Sequence, residues 1–284
     1  MRKLRGLGTA LITPFQADGS VDFEALKRLL DMQIAGKTDY IVVLGTTGEA
    51  VTQTNEERLA VRRTIIDYIA GRIPLVLGVG GNNTAAVCET LRTDDLSDFE
   101  AILSVCPYYN KPSQEGLFRH FCAVAEASPL PVILYNVPGR TGVNLLPETV
   151  MRIYNACPAK IAGVKEASGN LEQIKHLIDL AKGTSLLVIS GDDGLTADIM
   201  QAGGAGLISV LSNAYPAEAR RLVYEADSKL QAELAPLIGL LFKEGNPSGI
   251  KTALAKKGVI ENVLRLPLVP NSPAVQAEIA AAIF

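Results

Sequence analysis

The chain has 284 residues, 48% apolar and 20% charged, and its 27 basic and 30 acidic residues leave a formal net charge of −3. That balance describes a chain with a large buried core and excludes disorder, and with Lys and Arg spread along the sequence no electrostatic footprint for nucleic acid exists. Four cysteines without a C-x-x-C pair and only two histidines, His120 and His176, argue against a zinc site or a histidine-dependent triad and read as buried, reduced thiols of a cytoplasmic protein.

The opening Met1-Arg2-Lys3-Leu4-Arg5 is charged, but the apolar stretch after it breaks at Thr13-Pro14, so neither a signal peptide nor a membrane span is expected. Gly8 to Ile12 predicts a first strand, and Phe23, Leu26, Leu29, Leu30 and Ile34 then recur at helical spacing. Tyr40 to Leu44 predicts a second strand. Thr54-x-x-Glu57 after it has the form of a capping box, opening a helix through Leu59, Val61, Ile65, Ile66 and Ile69. Leu75 to Val79, Ala101 to Cys106, Val132 to Asn136, Ile161 to Lys165, Leu186 to Ser190 and Gly206 to Leu211 bring the strands to eight. Helix starts are signalled at Pro147, at Asn170 with Gln173, and at Pro216. None of the strand runs alternates apolar with polar, which marks strands covered on both faces in a parallel sheet.

Strand then helix, repeated eight times, predicts an α/β fold: a (β/α)8 TIM barrel. Beyond the eighth strand only helical spacing continues. The turn Glu244-Gly245-Asn246-Pro247 separates a long helix from another around Ser248 to Lys257, and Asn271-Ser272-Pro273 opens the last. The expected division is a catalytic barrel over residues 1–224 and a C-terminal helical region over residues 225–284.

In such a barrel the chemistry sits at the carboxyl ends of the strands. Lys165 closes an apolar run there; desolvation would disfavour its ammonium and leave an amine able to attack a carbonyl, although an ion pair with Glu166 is an alternative. Gly45-Thr46-Thr47-Gly48 ends the second strand with two hydroxyls between flexible residues, suited to a carboxylate or to an ordinary turn. Tyr135 offers a phenol for proton relay, and Arg140 a bidentate clamp for a second carboxylate. Gly203-Gly204-Ala205-Gly206 reads as a tight turn before the eighth strand in preference to a phosphate loop.

These residues, with Gly8-Thr9-Ala10-Leu11-Ile12-Thr13-Pro14-Phe15, Pro107-Tyr108-Tyr109-Asn110-Lys111-Pro112, Tyr135-Asn136-Val137-Pro138-Gly139-Arg140-Thr141-Gly142 and Gly163-Val164-Lys165-Glu166-Ala167-Ser168, stand in order and spacing as in the dihydrodipicolinate synthase family of the N-acetylneuraminate lyase group. The chain resembles that family over essentially its whole length. The resemblance implies a Schiff-base-forming lyase that condenses pyruvate with L-aspartate 4-semialdehyde, giving 4-hydroxy-tetrahydrodipicolinate for diaminopimelate and lysine biosynthesis. It implies that Lys165 forms the imine, and that Thr46, Tyr135 and Tyr109 relay protons, Tyr109 from across a dimer interface. Thr47 would hold pyruvate's carboxylate, Arg140 that of the semialdehyde, and Gly191 and Ile208 would line the pocket through their backbones. It further implies no metal, no organic cofactor, and a homotetramer built as a dimer of dimers.

Sialic acid lyases and keto-deoxy-sugar aldolases of the same group share the lysine, the tyrosine and the hydroxyl loop, and a non-catalytic pyruvate-binding relative is a further alternative. Arg140 in a Gly-Arg-Thr-Gly loop suits a small charged aldehyde better than a polyhydroxylated sugar. One departure stands out. Lysine-sensitive members of the family carry two histidines and a glutamate where this chain has Asn55, Arg58 and Ala86, while Tyr108 and Asn82 keep the sensitive pattern, so inhibition by lysine is expected to be weak or absent.

Overall fold

Eight short strands, β1 (Gly6–Ala10), β2 (Tyr40–Val43), β3 (Leu75–Gly78), β4 (Ala101–Val105), β5 (Val132–Asn136), β6 (Ile161–Glu166), β7 (Leu187–Ser190) and β8 (Gly206–Ser209), pair in parallel in sequence order, and β8 closes on β1. The structure, a computed structural model, describes residues 4–284; Met1 to Lys3, the start of the charged opening segment, lie outside the described residues. The strands are buried on both faces, which is why their sequences are continuous apolar runs. Val42, Val76, Ile133, Ile189 and Ile208 pack together inside the barrel, while Ile41, Val43, Leu77, Leu134 and Val164 join the larger core beneath the helices.

Most strand limits fall within one residue of the sequence expectation, and two strands depart by more. β1 runs from Gly6 to Ala10, not from Gly8 to Ile12, and β8 stops at Ser209, short of Leu211. Leu11, Ile12 and Leu211 are as buried as the paired residues before them, so the apolar run outlasts the ladder. The glycines before β8 have a backbone role. Gly203 turns the chain at φ 107°, and a Cβ on Gly206 would lie 2.1 Å from the Gly6 carbonyl oxygen, where β8 meets β1.

The helix starts follow their caps. Thr54 and Glu57 form a complete capping box on the helix Asn55–Ile69, Asn170 accepts from the Gln173 amide at 3.1 Å, and Pro147 and Pro216 occupy first turns. After residue 224 come the helices Ser228–Phe242, Ser248–Lys256 and Pro273–Ala282, which pack on one another. An irregular stretch between the last two returns to the barrel mouth: Arg265 donates to Glu57 Oε2 at 2.6 Å and to the Thr52 and Gly19 carbonyls. Lys251 forms an ion pair with Glu49, both side chains fully buried, and donates to the Val263 carbonyl at 3.0 Å. Burial pushes the Lys251 ammonium down to about 8 against the attraction of Glu49. The C-terminal region is thereby fastened to the loop that follows β2.

Candidate active site

Register brings the central pair together. Tyr135 on β5 stands opposite Lys165 on β6, and Lys165 opposite Ile189 on β7. The Lys165 amine lies 4.2 Å from the centroid of the Tyr135 ring, and the residue is 5% exposed. Among the described residues neither the amine nor the Tyr135 hydroxyl makes a hydrogen bond, and no carboxylate pairs with Lys165. The ion pair with Glu166 does not form, because successive residues of a strand face opposite ways. Glu166 points outward, where Asn136 Nδ2 donates to it at 3.0 Å and the Ser168 amide at 2.8 Å. Burial raises its pKa against those hydrogen bonds.

The wall behind the lysine is glycine for a steric reason. A Cβ on Gly191 would come within 3.1 Å of Lys165 Cε and 2.7 Å of Ala167 Cβ. Any larger residue would press on the stem that carries the amine.

Beyond β2 the chain tightens into the 3-10 turn Thr46–Gly48, framed by Leu44 at φ 56° and Glu49 at φ 52°. Left-handed conformations of non-glycine residues cost about 1 to 3 kcal/mol each and persist where surrounding structure enforces them. Here the buried Glu49–Lys251 pair supplies that enforcement. Thr46 is exposed toward the cavity, whereas Thr47 is buried and its hydroxyl accepts from Asn246 Nδ2 at 2.9 Å. Arg140 sits on the single helical turn Pro138–Thr141, exposed, with Nη2 donating to the Asn246 carbonyl at 2.9 Å.

One cavity of about 770 Å³ holds Thr46, Thr47, Tyr135, Arg140 and Lys165 in its walls. The amine, unpaired among the described residues, stands beside a phenol and shares the cavity with two hydroxyls and a guanidinium. Such a set can attack a ketone, move protons and hold two carboxylates. The cavity continues past Asn82 and Tyr108 to Asn55, Arg58 and Ala86. Three expected site residues are not in its walls. Gly191 lies behind Lys165, Ile208 is 1% exposed in the barrel interior with Tyr135, and Tyr109 is 88% exposed with its backbone at φ 73°. Asn246 is the site residue that sequence reasoning did not single out. Its only local signal was a turn before Pro247, and its partner Thr47 lies 199 residues away. Among the described residues no group of three or more His, Cys, Asp or Glu side chains converges as a metal site would, and no helix is long and apolar enough to cross a membrane.

Comparison with known proteins finds relatives over nearly the whole chain. The dihydrodipicolinate synthetase family model matches residues 3–284. A 4-hydroxy-tetrahydrodipicolinate synthase from Parabacteroides distasonis is 51% identical over 275 residues, covering 94% of this chain and 92% of that protein. The crystal structure of the chloride-inhibited dihydrodipicolinate synthase from Acinetobacter baumannii complexed with pyruvate has a TM-score of 0.93 at 39% identity, covering 98% of this chain and 97% of that one. The corresponding synthase from Cyanidioschyzon merolae with lysine bound has a TM-score of 0.92 at 34% identity, covering 99% and 97%.

Proposed function

The chain belongs to the dihydrodipicolinate synthetase family, and from that premise we propose that it condenses pyruvate with L-aspartate 4-semialdehyde to 4-hydroxy-tetrahydrodipicolinate, in diaminopimelate and lysine biosynthesis. The observation that carries the reading is the buried Lys165 amine, free of any ion pair among the described residues and 4.2 Å from the Tyr135 ring, in a cavity that also holds Thr47 and Arg140.

The steps follow from those groups. The Lys165 amine adds to the ketone carbon of pyruvate, and loss of water leaves the imine. The imine withdraws electrons, so a methyl proton departs and an enamine forms. Its terminal carbon attacks the aldehyde, whose oxygen takes a proton. The semialdehyde's own amine then adds to the imine carbon and expels Lys165, closing the ring; nothing is oxidised or reduced, and one water is released overall. Tyr135 and Thr46 carry protons to and from the reacting atoms, with Tyr109 of a second subunit completing the relay. Thr47 donates to the pyruvate carboxylate and Arg140 holds that of the semialdehyde. Gly191 and Ile208 shape the pocket from behind, and no metal or organic cofactor takes part.

The working form is a homotetramer, a dimer of dimers, in the cytoplasm. Supporting the dimer are Val51 at 86% and Leu59 at 58% exposure in the cavity's walls, and Tyr109 at 88% exposure next in sequence to the lining residue Tyr108, apolar surface that a second subunit would cover. We retain the division into a barrel, residues 1–224, and a helical region, residues 225–284, with the second part lending Asn246 to the site of the first.

The alternatives are a sugar-aldehyde aldolase of the same group or a barrel that only binds pyruvate. Arg140 beside the hydroxyl loop favours a small anionic aldehyde over a sugar. Initial rates measured with pyruvate and either aspartate semialdehyde or N-acetylmannosamine decide among them. Turnover with the semialdehyde alone is expected, and turnover only with the sugar would overturn the reading.

A further inference from the structure

The Thr47 hydroxyl has one hydrogen to give and lone pairs with which to receive. Asn246 Nδ2 donates to it at 2.9 Å, Asn246 Oδ1 is buried with no hydrogen-bond partner among the described residues, and no acceptor there takes the Thr47 hydrogen. That hydrogen is therefore left to point into the cavity that Thr47 shares with Lys165. The backbone carbonyl of the same asparagine accepts from Arg140 at 2.9 Å. One residue of the C-terminal region thus touches both side chains assigned to substrate carboxylates, from opposite ends of itself.

Its place is fixed from below. Asn246 is 6% exposed and is separated only by Pro247 from the helix Ser248–Lys256, whose Lys251 pairs with Glu49 two residues after Thr47. Gly249 lies so close under the preceding helix that a Cβ would come within 2.0 Å of the Leu241 carbonyl oxygen. The asparagine cannot drift without moving this packed corner.

We infer that Asn246 is a positioning residue whose amide, by donating to Thr47, turns the threonine hydroxyl outward as a donor for the pyruvate carboxylate, while its carbonyl holds Arg140 for the second substrate. The inference rests on the reading of Thr47 and Arg140 given above. Its distinguishing feature is the direction of one hydrogen bond. An aspartate at this position has only acceptors near neutral pH, so it would draw the Thr47 hydrogen away from the substrate and face pyruvate's carboxylate with a negative charge. The contact with Arg140, made by backbone, would survive that change.

Asn246→Asp is therefore expected to raise KM for pyruvate by about tenfold or more, the usual effect of losing a hydrogen bond to a charged group, and KM for the semialdehyde by less than about twofold. Asn246→Ala should show the same split more weakly, and it carries the test if the aspartate variant does not fold. In a Thr47→Val background, the uncharged Asn246→Ala should add less than about twofold to the pyruvate KM, since its route of action is already gone. Wild-type protein that neither turns over nor forms a borohydride-reducible adduct with pyruvate would sink the underlying reading. If the wild type works, but the variants raise both KM values equally or leave pyruvate's unchanged, or Asn246→Ala combines additively with Thr47→Val, the role of Asn246 alone is overturned.

Discussion

At the scale of single residues, two side chains divide the chemistry. Among the described residues Lys165 makes no hydrogen bond, so Lys165→Ala should leave a folded protein whose turnover falls by several orders of magnitude. Lys165→Arg should fail as completely, because a guanidinium stays protonated and cannot form an imine. Steady-state rates at saturating substrate check both, and wild-type-like turnover in either variant contradicts the Schiff-base route. Arg140 acts on binding instead. Replacing it by Ala should raise KM for the semialdehyde roughly ten- to hundredfold, the value of a charged hydrogen-bonded contact of about 1.5 to 3 kcal/mol, and change KM for pyruvate far less. Equal damage to both substrates would mean that the single turn Pro138–Thr141 is a structural prop.

At the scale of elements, the helix Asn55–Ile69 does two jobs in its first turns. Glu57 closes the capping box by accepting from the Thr54 amide at 2.9 Å, and it also receives the Arg265 guanidinium, whose hydrogen bonds hold its carboxyl down from 4.5 to about 2. The folded pKa lies below the unfolded one, so this stabilisation is fully present above pH 4.5 and is lost as the pH falls toward 2. Glu57→Gln should lower Tm near pH 7 by about 3 °C, for a loss of about 2 kcal/mol in a chain of 284 residues, with the gap to wild type narrowing below pH 4.5. A gap that is constant between pH 7 and pH 3 would assign the effect to the cap alone. The same helix faces the outer part of the cavity with Asn55 and Arg58, hydrogen-bonded to each other, and Ala86 stands on the first turn of the helix Thr84–Thr93. A cationic ligand there meets a guanidinium that no carboxylate neutralises among the described residues. Lysine should accordingly inhibit only above about a millimolar, the concentration scale of a binding energy near −4 kcal/mol. Titrating initial rates with lysine tests this, and tighter inhibition would show that the charge at these positions does not govern the pocket.

At the scale of the whole molecule, what the sequence discloses divides along the range of the interactions. The barrel was legible because each strand is covered on both faces, leaving an unbroken apolar run, and because Thr54, Asn170 and Pro147 mark helix starts within a few residues of themselves. Where β1 and β8 stop pairing was not legible, since Leu11 and Leu211 are as apolar outside the ladder as their neighbours are within it. The site was half legible. Lys165, Tyr135, Thr46, Thr47 and Arg140 lie at strand ends in recognisable motifs, but the grip of the C-terminal region on them runs through Asn246, Lys251 and Arg265. Each of those looks, in its own neighbourhood, like an ordinary turn asparagine or surface base. The assembly belongs to this scale as well. If Tyr109 acts in its neighbour's cavity, co-expressed Tyr109→Phe and Lys165→Ala subunits should recover activity that neither variant has alone, and no recovery would return Tyr109 to its own subunit or to no role. The most direct test of the central claim is to reduce the protein with borohydride in the presence of pyruvate, then measure intact mass and map the peptides. A single reduced pyruvate adduct on Lys165, absent from Lys165→Ala, is the expected result; no adduct on folded protein, or an adduct on another lysine, would contradict it.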